Sequence, residues 1–313
     1  MASEIFRIIE GLHLSEYFSN EAVISTLAYK PQRGDLFLVS YPKSGSTWTM
    51  QIMYNILVEG EESTNPIDRV MRFPLMELQG VEAATYAPKP RAFRSHLPFE
   101  KAPYSPEAKY VYIARNPYDT CVSFYYHTKN MLIYQFQDGT FDQFVELFLG
   151  GRVEHGDYFE NVTSWYEHAN DTNVLFLTYE ELMKDARRSV LRIAQFMGHE
   201  YGQKFQEDPQ LLTRVLENTS FDRMKKSFNH DAKKSPLSKS SFLKTVRPEI
   251  LRGLLAFTAL VETPATGEFV RKGQVGDWKN HFSADQIRRM KERIFEASSK
   301  SDFMSLWKDV DIP

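Results

Sequence analysis

Residues 36–48 have the sequence LFLVSYPKSGSTW, which predicts a buried strand, a glycine turn and a helix in immediate succession. The first four residues form an uninterrupted apolar run, typical of a strand that is covered on both faces. Apolar residues then recur at helical spacing as far as Leu57. Such a turn places backbone N–H groups, hydroxyls and the positive end of a helix dipole together, so it predicts a site for an anion. Lys43 adds a full charge, but it precedes Gly45, so the loop is not a Walker A motif.

Three further apolar runs, around residues 91–93, 110–114 and 174–177, are also typical of buried strands. Apolar residues at helical spacing follow them, most clearly over residues 182–197. Alternating strands and helices predict a fold of the α/β class, with a mostly parallel central sheet flanked by helices. Because ligands of such sheets bind beyond the carboxyl ends of the strands, the residues directly after each strand are the candidates for chemistry.

Composition excludes several classes of protein. The 313 residues include 38 Lys and Arg against 41 Asp and Glu, and a net charge of −3 argues against a general nucleic-acid binder. Cys121 is the single cysteine, which excludes an intramolecular disulfide and a cysteine-based zinc site. The N-terminal residues lack the apolar stretch of a signal peptide and no run is long enough to span a membrane, so we expect a cytoplasmic protein without a membrane partner. The 14% of aromatic residues indicates flat apolar walls, for packing or for a flat ligand.

Two other segments can bind anions. In RNPYDTCVS, residues 115–123, Asn116 suits a helix cap, so Arg115 is expected at the mouth of the sheet, where it could bind a phosphate or pair with a carboxylate. In RKGQVGDW, residues 271–278, two cations precede a glycine, which fits either a phosphate site or an exposed basic turn. Three such elements together indicate a ligand with several negative groups.

Residues 225–244 contain six Lys and five Ser with a single acid, which fits either a solvated loop or a mobile basic lid over an anionic ligand. The motifs GxGxxG, HExxH and GxSxG are absent from the sequence. Their absence argues against a dinucleotide-dependent dehydrogenase, a zinc protease and an esterase.

The three anion-binding segments resemble the signatures of the cytosolic sulfotransferase family: YPKSGSTW at 41–48, RNPYDTCVSFYYH at 115–127 and RKGQVGDWKNHFS at 271–283. Members of this family transfer a sulfuryl group from 3′-phosphoadenosine 5′-phosphosulfate (PAPS) to a small acceptor and release 3′,5′-ADP. The resemblance implies a P-loop-like strand–loop–helix phosphate site and PAPS as co-substrate, without a metal. Because these motifs must converge on one nucleotide, we expect a single domain over residues 1–313.

The resemblance also implies the nucleotide-binding residues. The loop after the first strand would hold the 5′-phosphosulfate. The 3′-phosphate would be held by Arg115, Ser123 and the RKG segment, residues 271–273. Three aromatic residues would contact the adenine. The residues implied are Lys43, Ser44, Gly45, Ser46, Thr47, Trp48, Arg115, Ser123, Tyr179, Thr219, Phe221, Arg271, Lys272 and Gly273.

By the same resemblance, His96 is the catalytic base, although a lone histidine after a weak strand is more often structural. A neutral imidazole would take the proton of the acceptor hydroxyl as its oxygen attacks sulfur. Lys43 would neutralise the charge that develops on the bridging oxygen. Ser123 would hold Lys43 away from that oxygen until the acceptor binds.

The expected acceptor is a small apolar molecule with a reactive hydroxyl or amine, bound by Phe18, Leu75, Leu78, Arg94 and His96. Arg94 stands where the family commonly has Lys. Leu75 and Leu78 stand where phenol-sulfating members have Phe, which makes the pocket less suited to a planar phenol. The family's dimerisation motif is altered at residues 279–288, so we expect a monomer or a weak homodimer.

Two other functions stay open from the sequence. One is a protein that binds PAPS or 3′,5′-ADP without turnover, and the other is a nucleotide kinase with a related strand–loop–helix. The presence of Lys43, His96 and Ser123 favours an enzyme over a binding protein, and the missing Walker A motif argues against a kinase.

Overall fold

The computed structural model describes residues 6–62, 66–85, 87–231, 241–244, 246–263, 265–299 and 301–313. Within these residues, strands β1 (Arg7–Ile9) and β2 (Leu12–Leu14) pair antiparallel as a small hairpin. Strands β3 (Leu36–Val39), β4 (Ala92–Ser95), β5 (Lys109–Ala114) and β6 (Val174–Thr178) form a parallel sheet in the order β4-β3-β5-β6. The α/β class and the parallel sheet predicted from the sequence are therefore confirmed.

The helices lie between and after the strands. Their bounds are α1 (Asn20–Leu27), α2 (Ser46–Leu57), α3 (Pro66–Arg72), α4 (Met76–Thr85), α5 (Pro117–Asn130), α6 (Phe141–Leu149), α7 (Tyr158–Tyr166), α8 (Tyr179–Lys184), α9 (Ala186–Met197), α10 (His199–Glu207), α11 (Pro209–Asn218), α12 (Phe221–Lys225), α13 (Pro248–Glu262) and α14 (Ala284–Ser298).

Two element boundaries differ from the sequence expectation. The weak run at 91–93 becomes a strand that extends through Arg94 to Ser95, because Leu38 and Val39 of the central strand pair with these residues. The continuous helical stripe at 182–197 is divided into α8 and α9. Asp185 interrupts it, since its carboxylate accepts the N–H of Arg188 at 2.9 Å and caps the second helix.

Both faces of the sheet are buried. Phe37, Tyr110 and Tyr112 enter an aromatic cluster on one face, in which the Tyr112 ring stacks on Trp165 with centroids 5.5 Å apart. Leu36, Leu38, Val111 and Ile113 alternate with these residues and enter an aliphatic cluster on the other face. Much of the aromatic content of the chain therefore packs in the core, and flat ligand walls explain a smaller part of it than the sequence suggested.

A buried carboxylate joins the end of β5 to the C-terminal residues. One oxygen of Glu180 accepts the backbone N–H of Asn116 at 3.0 Å and its side-chain amide at 2.7 Å. The other oxygen accepts the indole N–H of Trp307 at 2.8 Å. Since Asn116 caps α5, this network fixes the start of the helix that carries the second signature segment.

We expect Trp307→Phe to lower the free energy of unfolding by about 1–3 kcal/mol, because it leaves a buried carboxylate oxygen without its donor. Urea denaturation measures the change. Tyr166→Phe is the matched control, since it removes the exposed hydroxyl contact with Ser305 and should change stability by less than about 0.5 kcal/mol. Equal losses in the two variants would contradict the role of the Glu180 network.

Candidate active site

The four parallel strands end at one edge of the sheet, and each is followed by a residue that the sequence analysis selected. The predicted phosphate loop, residues 41–48, follows β3. His96 follows β4, Arg115 follows β5 and Tyr179 follows β6. Because all four strands run in the same direction, their carboxyl ends bring these residues to a common edge.

The phosphate loop turns through two left-handed residues, Lys43 with φ 67° and Gly45 with φ 109°. Helix α2 starts directly afterwards without a side-chain cap, so its first N–H groups are available to a ligand. A Cβ atom on residue 45 would come within 2.8 Å of the Tyr179 ring, so glycine is required for packing as well as for conformation. The hydroxyl of Ser44 is buried and has no hydrogen-bond partner among the described residues.

Aromatic rings lie beside this loop. The Trp48 and Tyr179 ring centroids are 5.8 Å apart at 69°, and the Arg115 guanidinium lies 4.5 Å above the Tyr179 ring. One terminal nitrogen of Arg115 donates to the carbonyl of Gln274 at 2.8 Å. Its Nε is buried without a partner in the part of the chain that the structure describes. The predicted adenine-binding residues Trp48 and Tyr179 are therefore adjacent.

The RKG segment is held against α5 by a carboxylate that the sequence analysis did not select. Asp119 accepts the N–H groups of Gly276 at 2.7 Å and Trp278 at 3.0 Å. Gly273 packs against the ring of Phe221, where a Cβ atom would lie 2.5 Å from the ring. Thr219 is buried, and its hydroxyl donates to Val215 within the last turn of α11.

Arg271 and Lys272 share one carboxylate. Each donates to Asp277 at 2.7 Å. Burial opposes ionisation of this carboxyl, but the two cationic donors outweigh burial and hold the pKa of Asp277 below its usual range. Asp277 thus keeps both cations next to Gly273, where the sequence predicted a phosphate.

Lys43 is the positive group of the loop after β3. Desolvation, together with the charges of Arg115 and Arg271, lowers the pKa of Lys43 to about 8. Its Nζ lies 4.4 Å from the ring centroid of Phe269. Ser123 is partly buried on α5 and makes no side-chain hydrogen bond within the described residues. Its expected contact with Lys43 stays a prediction.

His96 is oriented by backbone and carboxylate contacts. Its Nδ1 lies 2.7 Å from the carbonyl oxygen of Ser40, which can only accept, so Nδ1 carries the proton and Nε2 has the free lone pair. Its backbone N–H donates to Glu77 at 2.5 Å, and its carbonyl accepts from Asn161 at 2.9 Å. Desolvation and the cations Arg94 and Lys43 lower the pKa of His96 to about 4, so the imidazole is neutral at physiological pH.

The predicted acceptor residues come together on the β4 side. Phe18, Leu75 and Leu78 are buried in one apolar cluster with Leu97, the residue after His96. Arg94 donates through Nε to the carbonyl of Phe73 at 2.8 Å and lies over the ring of Phe257, which belongs to α13. Burial lowers the pKa of Arg94 to about 10.

Three side chains near His96 were missed by the sequence analysis: Glu77, His127 and His155. Glu77 stands between the two leucines of the predicted acceptor pocket, where the apolar pattern drew attention away from it. Burial raises the pKa of its carboxyl, which also accepts the hydroxyl of Ser95 at 2.9 Å. His127 had been quoted as part of the second signature, without a role.

Three further expectations from the sequence concern the basic segment, a metal ion and a membrane span. Residues 232–240 of the basic segment lie outside the described residues, so the lid stays a prediction. A search of the described residues for three or more His, Cys, Asp or Glu side chains able to hold a metal ion finds none. Among the described helices, none has the length and apolar character needed to cross a membrane.

Known proteins are similar to this chain in sequence and in fold. A family model described as a sulfotransferase domain matches residues 33–302. An amine sulfotransferase of Oryctolagus cuniculus is 34% identical over 272 residues, which cover 85% of this chain and 81% of the relative. The chain belongs to the sulfotransferase family. Sulfotransferase 2B1 of Mus musculus is 37% identical over 260 residues, covering 80% of this chain and 68% of the relative.

Solved structures have a similar fold. The mouse sulfotransferase SULT7A1 complexed with PAP has a TM-score of 0.71 at 28% identity, covering 97% of this chain and 98% of that one. A retinol dehydratase in complex with androsterone and the inactive cofactor PAP shares the fold, with a TM-score of 0.69 at 21% identity over 94% of this chain and 88% of that one. The predictions of a sulfotransferase enzyme and of PAPS as its co-substrate are confirmed.

We expect Gly45→Ala to lose more stability than Gly34→Ala, and to bind 3′,5′-ADP more weakly than wild type. Both glycines have positive φ, at 109° and 84°, but a Cβ atom meets Tyr179 at position 45 and has no atom within 4 Å at position 34. The backbone strain of about 1–2 kcal/mol is therefore common to both variants, and the difference isolates the packing at the loop. Urea denaturation and calorimetric titration measure the two effects, and equal behaviour of the variants would contradict the packing argument.

Proposed function

We propose that the protein transfers a sulfuryl group from PAPS to the hydroxyl or amine of a small apolar acceptor by in-line displacement, with His96 as the base, and releases 3′,5′-ADP. The observation that carries the proposal is the contact between Nδ1 of His96 and the Ser40 carbonyl. It fixes the tautomer in which Nε2 can accept a proton, at the same sheet edge as Lys43.

The unpaired polar groups at this edge support nucleotide binding. Ser44 Oγ and Arg115 Nε are buried without a partner in the described part of the chain, and the oxygens of a bound nucleotide would satisfy them. Lys43, Arg115 and Arg271 are close enough that the charges of the other two lower the pKa of Lys43. A bound anion would relieve that repulsion. We assign the 5′-phosphosulfate to the loop 43–48 and the 3′-phosphate to Arg115, Ser123 and the RKG segment.

His96 then accepts the proton, and Lys43 stabilises the charge that develops. His96 takes the acceptor's proton through Nε2 while the acceptor atom forms its bond to sulfur and the bond from sulfur to the bridging oxygen breaks. Lys43 compensates the negative charge that this oxygen gains, and the electron pair leaves with 3′,5′-ADP. Ser123 restrains Lys43 until the acceptor is present.

The second candidate is a protein that binds the nucleotide without turnover. His96, Lys43 and Ser123 favour the enzyme, because a binding protein has no need of a neutral, oriented imidazole. The two are separated by incubating the protein with sulfur-labelled PAPS and a panel of phenols, aliphatic alcohols, steroids and amines, without magnesium. Amines are included because an amine sulfotransferase is among the relatives. Tight binding of 3′,5′-ADP with transfer to no acceptor would favour the binding protein.

We also propose a single domain over residues 1–313 that acts in the cytoplasm as a monomer or a weak homodimer. The residues assigned to one nucleotide extend from Lys43 to Gly273, which supports one domain. Sedimentation over a hundredfold range of protein concentration tests the oligomeric state.

We expect His96→Ala to reduce the turnover number by at least about a hundredfold, since general base catalysis contributes that much or more. Its affinity for 3′,5′-ADP should stay near that of wild type. Arg115→Ala should show the opposite pattern, with affinity for 3′,5′-ADP lowered by tenfold or more. Calorimetry and turnover assays on both variants test the assignment, and near-normal turnover of His96→Ala would overturn it.

We expect the affinity for 3′,5′-ADP to fall as the pH rises above 8. Lys43 has its pKa lowered to about 8, so the free protein loses this charge above that pH, and binding of a phosphate must then restore the proton. The fall is up to tenfold per pH unit for one proton. Calorimetry in buffers of different ionisation enthalpy should show proton uptake close to zero at pH 7 and approaching one at pH 9. Lys43→Arg keeps its charge throughout, so a similar fall in this variant would assign the effect to another group.

A further inference from the structure

Two histidines with no assigned task lie next to the proposed base. His155 has a left-handed backbone, with φ 64°, and only 3% of its surface is exposed. Its ring centroid is 5.0 Å from that of His96 and 5.4 Å from that of Phe18, so it lies between the base and the apolar acceptor cluster. Its Nδ1 is buried and has no hydrogen-bond partner among the described residues.

His127 lies near the same point from the side of α5. It follows Ser123 by one helical turn, and its ring is 6.2 Å from Phe269, the ring that Lys43 contacts. The charges of Lys43 and His96 both act on it. Neither ring nitrogen makes a hydrogen bond within the described part of the chain. We call His96, His127 and His155 the polar end of the acceptor site.

A buried polar group without a partner is unfavourable, which is why such groups are rare unless a ligand or a water molecule satisfies them. Burial lowers the pKa of both His127 and His155 well below the usual range, so both imidazoles are neutral. A neutral imidazole offers one donor and one acceptor, which matches a hydroxyl. An ammonium group would instead meet the cations Lys43 and Arg94.

Resting on the proposed function, we propose that the preferred acceptor carries a second hydroxyl on the carbon next to the one that bears the attacking oxygen, and that His155 hydrogen-bonds this second hydroxyl. The imidazoles of His96 and His155 are neighbours, so two oxygens on adjacent carbons can each hydrogen-bond to one ring. The attacking oxygen would bond to His96 and the second hydroxyl to His155. Phe18, which His155 contacts, and the aliphatic Leu75 and Leu78 belong to one apolar cluster that would hold the carbon skeleton.

Matched acceptor pairs test the inference. One pair is 2,3-dihydroxynaphthalene with 2-naphthol, and the other is trans-cyclohexane-1,2-diol with cyclohexanol. We expect kcat/KM for the diol to exceed that for its partner at least about tenfold in one pair or both, since a site built to bond a hydroxyl rejects the analogue that lacks it. Transfer with no preference in either pair would overturn the inference while leaving the proposed function intact. Transfer to none of the four, while another acceptor of the panel is sulfated, would also overturn the inference, whereas transfer to no acceptor of the whole panel with 3′,5′-ADP still bound would count against the proposed function.

Variants assign the preference to one side chain. His155→Phe should bring the diol-to-monool ratio of kcat/KM close to one, whereas His155→Gln, which can still donate and accept, should keep part of it. His168→Phe is the control, because this ring stacks on Phe99 outside the site and should keep the full ratio. A thermal shift with 3′,5′-ADP confirms folding of each variant. If His155→Phe lowered kcat/KM for the diol and for the monool by the same factor, the residue would have a structural role and the inference would fail.

Discussion

The carboxylate of Asp119 supports the whole ligand-binding edge. It accepts two backbone N–H groups from the segment around residue 277, nearly 160 residues later in the chain. This contact places Arg271 and Lys272 beside the start of α5, and therefore beside Arg115. Without it, three motifs that lie far apart in sequence would have no reason to form a single positive site. Hydrogen bonds to a buried carboxylate are among the stronger ones available to a protein.

Concentrating cations in this way has an electrostatic cost, and the structure offsets it unevenly. Asp277 pairs with Arg271 and Lys272, so these two charges are compensated before any ligand arrives. Lys43 has no such carboxylate among the described residues and lies against an aromatic ring, while burial and the charges of Arg115 and Arg271 lower its pKa to about 8. His96 is kept neutral by the same desolvation and by neighbouring positive charge. Lys43 is thus a cation without a carboxylate partner among the described residues, and His96 is a neutral imidazole.

The sequence predicted the parts of this architecture that depend on local patterns. Continuous apolar runs located all four strands of the sheet, and the residues after them proved to share one edge. The sequence predicts too short a strand around residues 91–93, because the charged Arg94 interrupts the apolar run. In the structure, pairing with β3 extends this strand to Ser95.

What the sequence could not give is the set of partners that position these residues. Glu77 holds the backbone of His96, Asp119 holds the RKG segment and Glu180 holds the cap of α5, and each contact joins residues that lie 19 to 159 positions apart. Composition and spacing carry no information about which buried carboxylate meets which N–H. His155 was missed for the same reason, because its proximity to His96 follows from the tertiary fold.

The order of the strands has one more consequence. The phosphate loop follows β3, the inner strand whose neighbours β4 and β5 come later in the chain, so the loop lies where the connections diverge to opposite sides of the sheet. His96 and the apolar cluster lie on the β4 side, and Arg115 and Tyr179 on the side of β5 and β6. Substitutions on one side need not disturb the other. A fold divided in this way can change the molecules it modifies over evolutionary time while keeping one donor.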